Sequence, residues 1–202
     1  DGLLSPEAAP ELLRRLEKCD ALAVGPGLGR SAGVTALVGA LLEASRVPTV
    51  LDADALWALS RAPELLERAA CPLVLTPHAR EFERLGGDLS APREEAALRF
   101  AREHGCALVL KGRGTVCAFP DGECYVNPTG NPGMARGGSG DVLTGLMGAL
   151  LCQLPFRKAV CAAVYLHGLA GDMCAAELGE YGMTPTDMIE RLPQAMRSVT
   201  EG

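Results

Sequence analysis

The sequence predicts an α/β fold in which a mostly parallel central sheet carries helices on both faces, as a single domain over residues 1–202. Three observations predict it. Short, continuous apolar runs recur at 21–24, 49–51, 73–75 and 107–110, as expected of strands buried on both faces. Helical patterns separate these runs, and parallel strands need such crossovers. Each run ends in glycine or polar residues, at the end of the strand where sheets of this class bind ligands. With 48% hydrophobic and 22% charged residues, the 202-residue chain has the material for a sizeable core.

Taken in order, Ser5-Pro6-Glu7 predicts a helix start with proline in the first turn. That helix runs to about Lys18, with Leu12, Leu13 and Leu16 on one face. The strand at 21–24 ends in Gly25-Pro26-Gly27-Leu28-Gly29, and Ser31 caps a helix reaching about Ser45. The strand at 49–51 ends in Asp52-Ala53-Asp54, followed by weakly helical sequence broken at Pro63. Asp54 is expected to cap residues 55–59, leaving Asp52 to point at a site. The strand at 73–75 ends in Thr76-Pro77-His78. A helix over 92–104 stops at Gly105, and the strand at 107–110 ends in Lys111-Gly112-Arg113-Gly114-Thr115. Runs at 116–119 and 124–127 flank Pro120-Asp121-Gly122-Glu123, a hairpin signal. Beyond the loop at 128–138 the pattern is mostly helical.

Net charge is −6, which argues against nucleic acid or an anionic membrane as the main partner. Aromatic residues make up 4%, few for a protein that stacks bases. No apolar run reads as long and uninterrupted enough to span a bilayer. The opening residues, from Asp1 to Pro6, show no basic and apolar leader pattern. The eight cysteines form no C-x-x-C pair and mostly sit in apolar strings. They are expected to be small buried hydrophobes in a reducing cytoplasm, with no metal site.

The strongest local signal runs from Asn131 to Gly145. Gly137, Gly138 and Gly140 free the backbone to expose N–H groups just before an apolar helix over 142–152. Such groups at a helix N-terminus form an anion site. Asp141 lies beside it, where a carboxylate suits taking a proton from a hydroxyl that attacks a phosphate. A plain helix cap is the competing reading of Asp141 or Ser139. No G-K-[ST] follows, so this is not a P-loop.

Several motifs occur in order: Gly25-Pro26-Gly27-Leu28-Gly29, Leu51-Asp52-Ala53-Asp54-Ala55-Leu56, Leu75-Thr76-Pro77-His78-Ala79-Arg80-Glu81-Phe82 and Lys111-Gly112-x-x-Thr115. Gly133-Met134-Ala135-x-Gly137-Gly138-Ser139-Gly140-Asp141-Val142-Leu143 and Tyr165-Leu166-His167-Gly168-Leu169-Ala170-Gly171-Asp172 follow. From about Asp20 onward the chain resembles the ADP/ATP-dependent NAD(P)H-hydrate dehydratases, repair enzymes with a ribokinase-like three-layer fold.

The resemblance implies that hydrated NADH or NADPH (NADHX or NADPHX) loses water, driven by hydrolysis of ADP or ATP, with Mg2+ expected. The implied route transfers a terminal phosphoryl group to the ring hydroxyl and then expels phosphate. Asp141 would be the catalytic base. Lys111, Gly112, Arg113, Gly114, Thr115, Asn131, Gly133, Met134, Ala135, Gly137, Gly138, Ser139 and Gly140 would bind the nucleotide. Within that set, the N–H groups of Gly138, Ser139 and Gly140 would hold the transferring phosphate. Gly25, Gly27, Gly29, Asp52, His78, Glu81, Arg84 and Asp141 would bind the hydrated dinucleotide. His104 reads as a helix-end residue, His167 as a packed or hydrogen-bonded one, and Glu81 as a surface helix residue. A homo-oligomer is expected.

Relative to the family, the chain is expected to lack early strands ahead of Asp20, and hence to be poorly stable or inactive when expressed alone. Arg136 and Trp57 depart from the family pattern, at positions that usually hold a small polar residue and an asparagine. Two alternatives stand beside the main reading. One is a kinase of the same fold acting on a vitamin-precursor alcohol; the other is a non-catalytic nucleotide-binding module.

Overall fold

The structure, a computed structural model, describes residues 4–201. The leader reading at residues 1–3 lies outside the described residues. The elements run α1 (Ala9–Leu16), β1 (Leu22–Val24), α2 (Ala32–Ala44), β2 (Thr49–Leu51), α3 (Ala53–Arg61), β3 (Leu73–Leu75), α4 (Ala79–Arg84) and α5 (Arg93–His104). They continue with β4 (Ala107–Leu110), β5 (Val116–Ala118), β6 (Cys124–Val126), α6 (Ser139–Leu151), α7 (Phe156–Gly182) and α8 (Pro185–Thr200). Short 3-10 turns occupy Pro6–Ala8, Pro63–Leu65 and Pro132–Met134.

One six-stranded sheet has the order β1-β2-β3-β4-β5-β6. The first four strands pair in parallel, and the hairpin of β5 and β6 adds on antiparallel. Alternation along each strand sorts the residues into two cores. Leu51, Leu75, Leu108 and Leu110 face a core with α2, α3 and α5. Val50, Val74, Ala107 and Val109 face a second core with α6, α7 and α8. The successive parallel strands advance in one direction along the sheet, so right-handed crossovers leave their helices on one face. The C-terminal helices close the other face.

Local signals explain the boundaries. The Ser31 side chain accepts from the Val34 N–H at the start of α2. Gly105 ends α5 in the left-handed region with φ 61°. α4, foreshadowed only by the reading of Glu81 as a surface helix residue, opens with a reciprocal capping box between His78 and Glu81. Glu81 is therefore no free surface carboxylate. It accepts from the His78 N–H at 2.9 Å, while His78 Nδ1 accepts from the Glu81 N–H at 3.2 Å.

Three other expectations need correction. α7 is long and apolar enough, by length and composition alone, to cross a membrane. More than half of its apolar window is instead buried inside the fold, where α7 packs against α6 and α8. The cysteines are not uniformly buried: all eight are free, Cys106, Cys117 and Cys174 are buried, and Cys19, Cys124 and Cys152 are exposed. Asp54 does not cap α3. Its carboxylate is taken by the Gly29 N–H and Arg30, and the N-cap position is Asp52, whose side chain makes no cap bond.

His167 ties α7 to the start of α6. It is 9% exposed, and its Nε2 lies 2.9 Å from the Ser139 carbonyl. Burial pushes its pKa from the ordinary 6.5 down to about 4; the Ser139 bond opposes this shift and the charge of Lys111 adds to it. The ring is thus neutral in the fold and donates Nε2–H to that carbonyl. Between pH 6.5 and 4 the unfolded chain binds a proton that the folded chain refuses. Stability should therefore fall as pH drops through that window, by about 3 kcal/mol at its lower end. Urea unfolding at pH 7, 5.5 and 4 checks this: His167→Gln should lose about that much less than the parent, whereas parallel losses would contradict it.

Candidate active site

The polar ends of β2, β3 and β4 converge on the N-terminus of α6. Gly25 sits in the left-handed region with φ 143°, and a Cβ there would lie 1.8 Å from the Asp52 carbonyl oxygen. Only glycine lets the loop after β1 press against the turn after β2. A second tie joins the same loops: the Asp54 carboxylate accepts from the Gly29 N–H at 2.9 Å and pairs with Arg30 at 2.8 Å.

These ties set the Asp52 carboxylate facing the sheet's centre, 2% exposed. Its Oδ1 accepts from Lys111 Nζ at 2.6 Å, and its Oδ2 accepts from the Thr144 hydroxyl at 2.9 Å. One side chain from β2's end, one from β4's end and one from α6 thus meet. A Cβ on Gly140 would lie 3.3 Å from both Asp52 Oδ2 and Lys111 Nζ, so the ion pair abuts the first turn of α6. Lys111 is neither a solvated strand-end lysine nor an unpaired cation.

The turn that follows Lys111 is braced from α5. Arg93 donates to the carbonyls of Leu110 at 2.9 Å and Lys111 at 3.3 Å. The Lys111 N–H donates to the Pro77 carbonyl at 2.8 Å, and Lys111 forms a bridge beside His78.

The approach to α6 carries no side-chain cap. Its N-cap is Gly138, left-handed with φ 93°. The Ser139 hydroxyl lies near His167 rather than reaching back to the helix end. Val142 is the first residue of this stretch whose N–H closes onto the helix, at the Gly138 carbonyl. The Ser139 N–H makes a long turn bond of 3.3 Å to Arg136. Among the described residues, the N–H groups of Gly138, Gly140 and Asp141 have no acceptor. Asp141 is exposed in this first turn, and among the described residues its carboxylate bonds to nothing. A cap role for Asp141 or Ser139 therefore finds no bond in the structure.

A cavity of about 890 Å³ opens above this turn. Of the residues singled out for the nucleotide, Lys111, Gly112, Arg113, Gly114, Thr115, Asn131, Met134, Ala135, Ser139 and Gly140 line it, and so does His78. Three cations line it (Lys111, Arg113 and Arg136) and no carboxylate does, although the chain is acidic overall. Gly133 is buried under the loop, where a Cβ would meet the Glu180 carbonyl at 2.6 Å. Gly137, Gly138 and Asp141 border the cavity in sequence but do not line it. Asp52 lies beneath, reached through Lys111. Glu81 and Arg84 share a separate shallow depression of about 10 Å³ with Arg30 and Trp57. Gly25, Gly27 and Gly29 line neither.

Sequence reasoning missed the floor of the cavity. Asn127 and Thr129 bond to the Val164 and Tyr165 carbonyls of α7 at 3.3 and 2.9 Å. Gly168 admits Thr129, since a Cβ there would lie 2.2 Å from its hydroxyl. The available signal was Gly168, Gly171 and Asp172 at i, i+3 and i+4, one face of a helix stripped of bulk. Arg136 lies in the loop over Glu180 and Tyr181, donating to their carbonyls.

Buried pairs cost most when one partner is removed, about 3–5 kcal/mol. Lys111→Ala strands a carboxylate that is 2% exposed, whereas Asp52→Ala strands an ammonium group whose side chain is 21% exposed. The lysine variant should therefore be the less stable in urea melts, and the double variant should regain part of the loss. Equal, additive losses would show that the pair is not coupled.

The chain matches the family model described as NAD(P)H-hydrate dehydratase over residues 3–194. It is 47% identical to the bifunctional NAD(P)H-hydrate repair enzyme Nnr of Moorella thermoacetica, over 99% of this chain and 39% of that protein. Among solved structures, the ADP/ATP-dependent NAD(P)H-hydrate dehydratase of Bacillus subtilis, co-crystallized with ATP/Mg2+, superposes with TM-score 0.79. The two are 34% identical, over 92% of this chain and 69% of the other. A ribokinase-like superfamily protein of Enterococcus faecalis superposes with TM-score 0.82 at 30% identity, over 98% of this chain and 70% of the other. The chain thus spans about two fifths of the Moorella relative. The three-layer fold, the glycine-rich approach to α6 and the match along nearly the whole chain agree: this chain belongs to the NAD(P)H-hydrate dehydratase family, with a ribokinase-like fold.

Proposed function

We propose that the protein containing this chain restores hydrated NADH and NADPH to NADH and NADPH, driven by hydrolysis of ADP or ATP. The observation that carries this reading is the capless N-terminus of α6, with free N–H groups, Lys111 beside it and a cation-lined cavity above it. That arrangement suits a polyphosphate.

Asp141 takes the proton of the ring hydroxyl as that oxygen bonds to the terminal phosphorus; the nucleotide leaves one phosphate shorter. The ring nitrogen's lone pair then expels inorganic phosphate, and loss of a proton from the neighbouring ring carbon to that phosphate or to water restores the ring double bond. The Gly138, Gly140 and Asp141 amides stabilise the transferring phosphoryl oxygens. The turns at 111–115 and 131–136 hold the rest of the nucleotide. Gly25, Gly27, Gly29, Asp52, His78, Glu81 and Arg84 belong to the dinucleotide side, where Gly25 and Asp52 act by shaping the loops. Mg2+ supplies charge neutralisation at the phosphates. The described residues offer no cluster of three or more His, Cys, Asp or Glu, which fits an ion held largely by phosphate oxygens and water. Residues 1–202 form one domain in this reading, since both cores share a single sheet. Exposed Leu178, Tyr181 and Ile189 offer apolar surface for a homo-oligomer in the cytoplasm.

The test supplies hydrated NADH with ADP or ATP to the full-length protein and follows the reduced-nicotinamide absorbance. The absorbance should return with at least one nucleotide; no return with either would refute the reading. Asp141→Asn should lower turnover at least about 100-fold while ADP binding changes little. Normal turnover in that variant would remove Asp141 as the base.

A further inference from the structure

We propose that Asp172 is a positioning residue for the nucleotide: it does not itself line the cavity, yet it sets nucleotide affinity by holding the loop that forms one wall. This rests on the nucleotide reading of the cavity. Asp172 lies on α7, and both its carboxylate oxygens are used by the loop. Oδ2 accepts from the Gly130 N–H at 2.8 Å, and Oδ1 accepts from Asn131 Nδ2 at 2.9 Å. The other end of the Asn131 amide accepts from the Gly133 N–H at 3.0 Å and so caps the turn at Pro132–Met134.

The loop seats the Met134 side chain on a bare stretch of the helix. A Cβ on Gly171 would lie 2.4 Å from Met134 Sδ. Gly130 itself turns with φ 101°, so the backbone amide that Asp172 holds belongs to a residue free to adopt other conformations. Gly130, Asn131 and Met134 all line the cavity, while Asp172 does not. The carboxylate thus orders in advance a wall that nucleotide binding would otherwise have to order, and such preorganisation appears as affinity.

Asp172→Ala loses both bonds. Asp172→Asn keeps an acceptor for Gly130 but turns an N–H group toward Asn131 Nδ2, whose other end is already engaged. In the full-length protein, calorimetric titration should show ADP binding weakened about 30-fold by the alanine change and about fivefold by the asparagine change. The nucleotide KM should rise more than kcat falls, and the KM for hydrated NADH should stay within about twofold of the parent. If the alanine variant does not fold, the asparagine variant carries the test. Parental ADP affinity in the variants would overturn the proposal. So would equal weakening of nucleotide and dinucleotide together with a lowered melting temperature, the mark of a merely structural role. A parent protein with no affinity for ADP or ATP would overturn the nucleotide reading itself, and this proposal with it.

Discussion

The ion pair between Asp52 and Lys111 is the interaction on which the rest of the site depends. It joins the ends of two parallel strands that are not neighbours and, through Thr144, attaches both to α6. A carboxylate this deeply buried is tolerable only because a cation, a hydroxyl and the positive end of a helix all face it. The same arrangement leaves Lys111 Nζ beside Gly140, so the charge that stabilises the fold also colours the site. An acidic protein thereby presents a cationic pocket without a cluster of unpaired basic residues at its base.

Glycine serves two opposite purposes around this pair. Gly25 and Gly168 are bare so that protein can touch protein: the loop after β1 against Asp52, and Thr129 against α7. Gly138 and Gly140 lie where the chain leaves N–H groups without protein acceptors, open to a ligand. The first kind rigidifies the wall and floor that the second kind needs. A helix start left uncapped is costly unless its orphan donors find acceptors elsewhere.

Most of the fold was legible because its strands are short apolar runs bounded by strong punctuation. The runs at 49–51, 73–75 and 107–110 coincide with β2, β3 and β4, and Gly105 stops α5 as its left-handed geometry demands. The glycine-rich start of α6 was legible for the same reason. The misreadings concern side-chain direction. Asp52 and Asp54 are both plausible caps in a linear sequence; only their partners in the fold, Lys111 and Thr144 for Asp52 and the Gly29 N–H and Arg30 for Asp54, decide their roles. His78 and Glu81 read as ligand contacts, and the structure adds what the sequence could not show, that they also bond to each other. The motif ending in Gly171-Asp172 stood out in the sequence, but its purpose could not be read, because it lies in a loop about 40 residues upstream. α7 read as too interrupted an apolar run to span a bilayer, and its small residues are the places where the loop seats.

The central claim is that backbone amides at the start of α6 form the phosphate cradle. Residue-resolved amide hydrogen exchange, with and without saturating ADP and Mg2+, tests it most directly. The account predicts marked slowing at Gly138, Gly140 and Asp141, whose N–H groups have no protein acceptor, and little change at Val142, which is already bonded. Exchange at those three amides that is unaffected by bound nucleotide would contradict it.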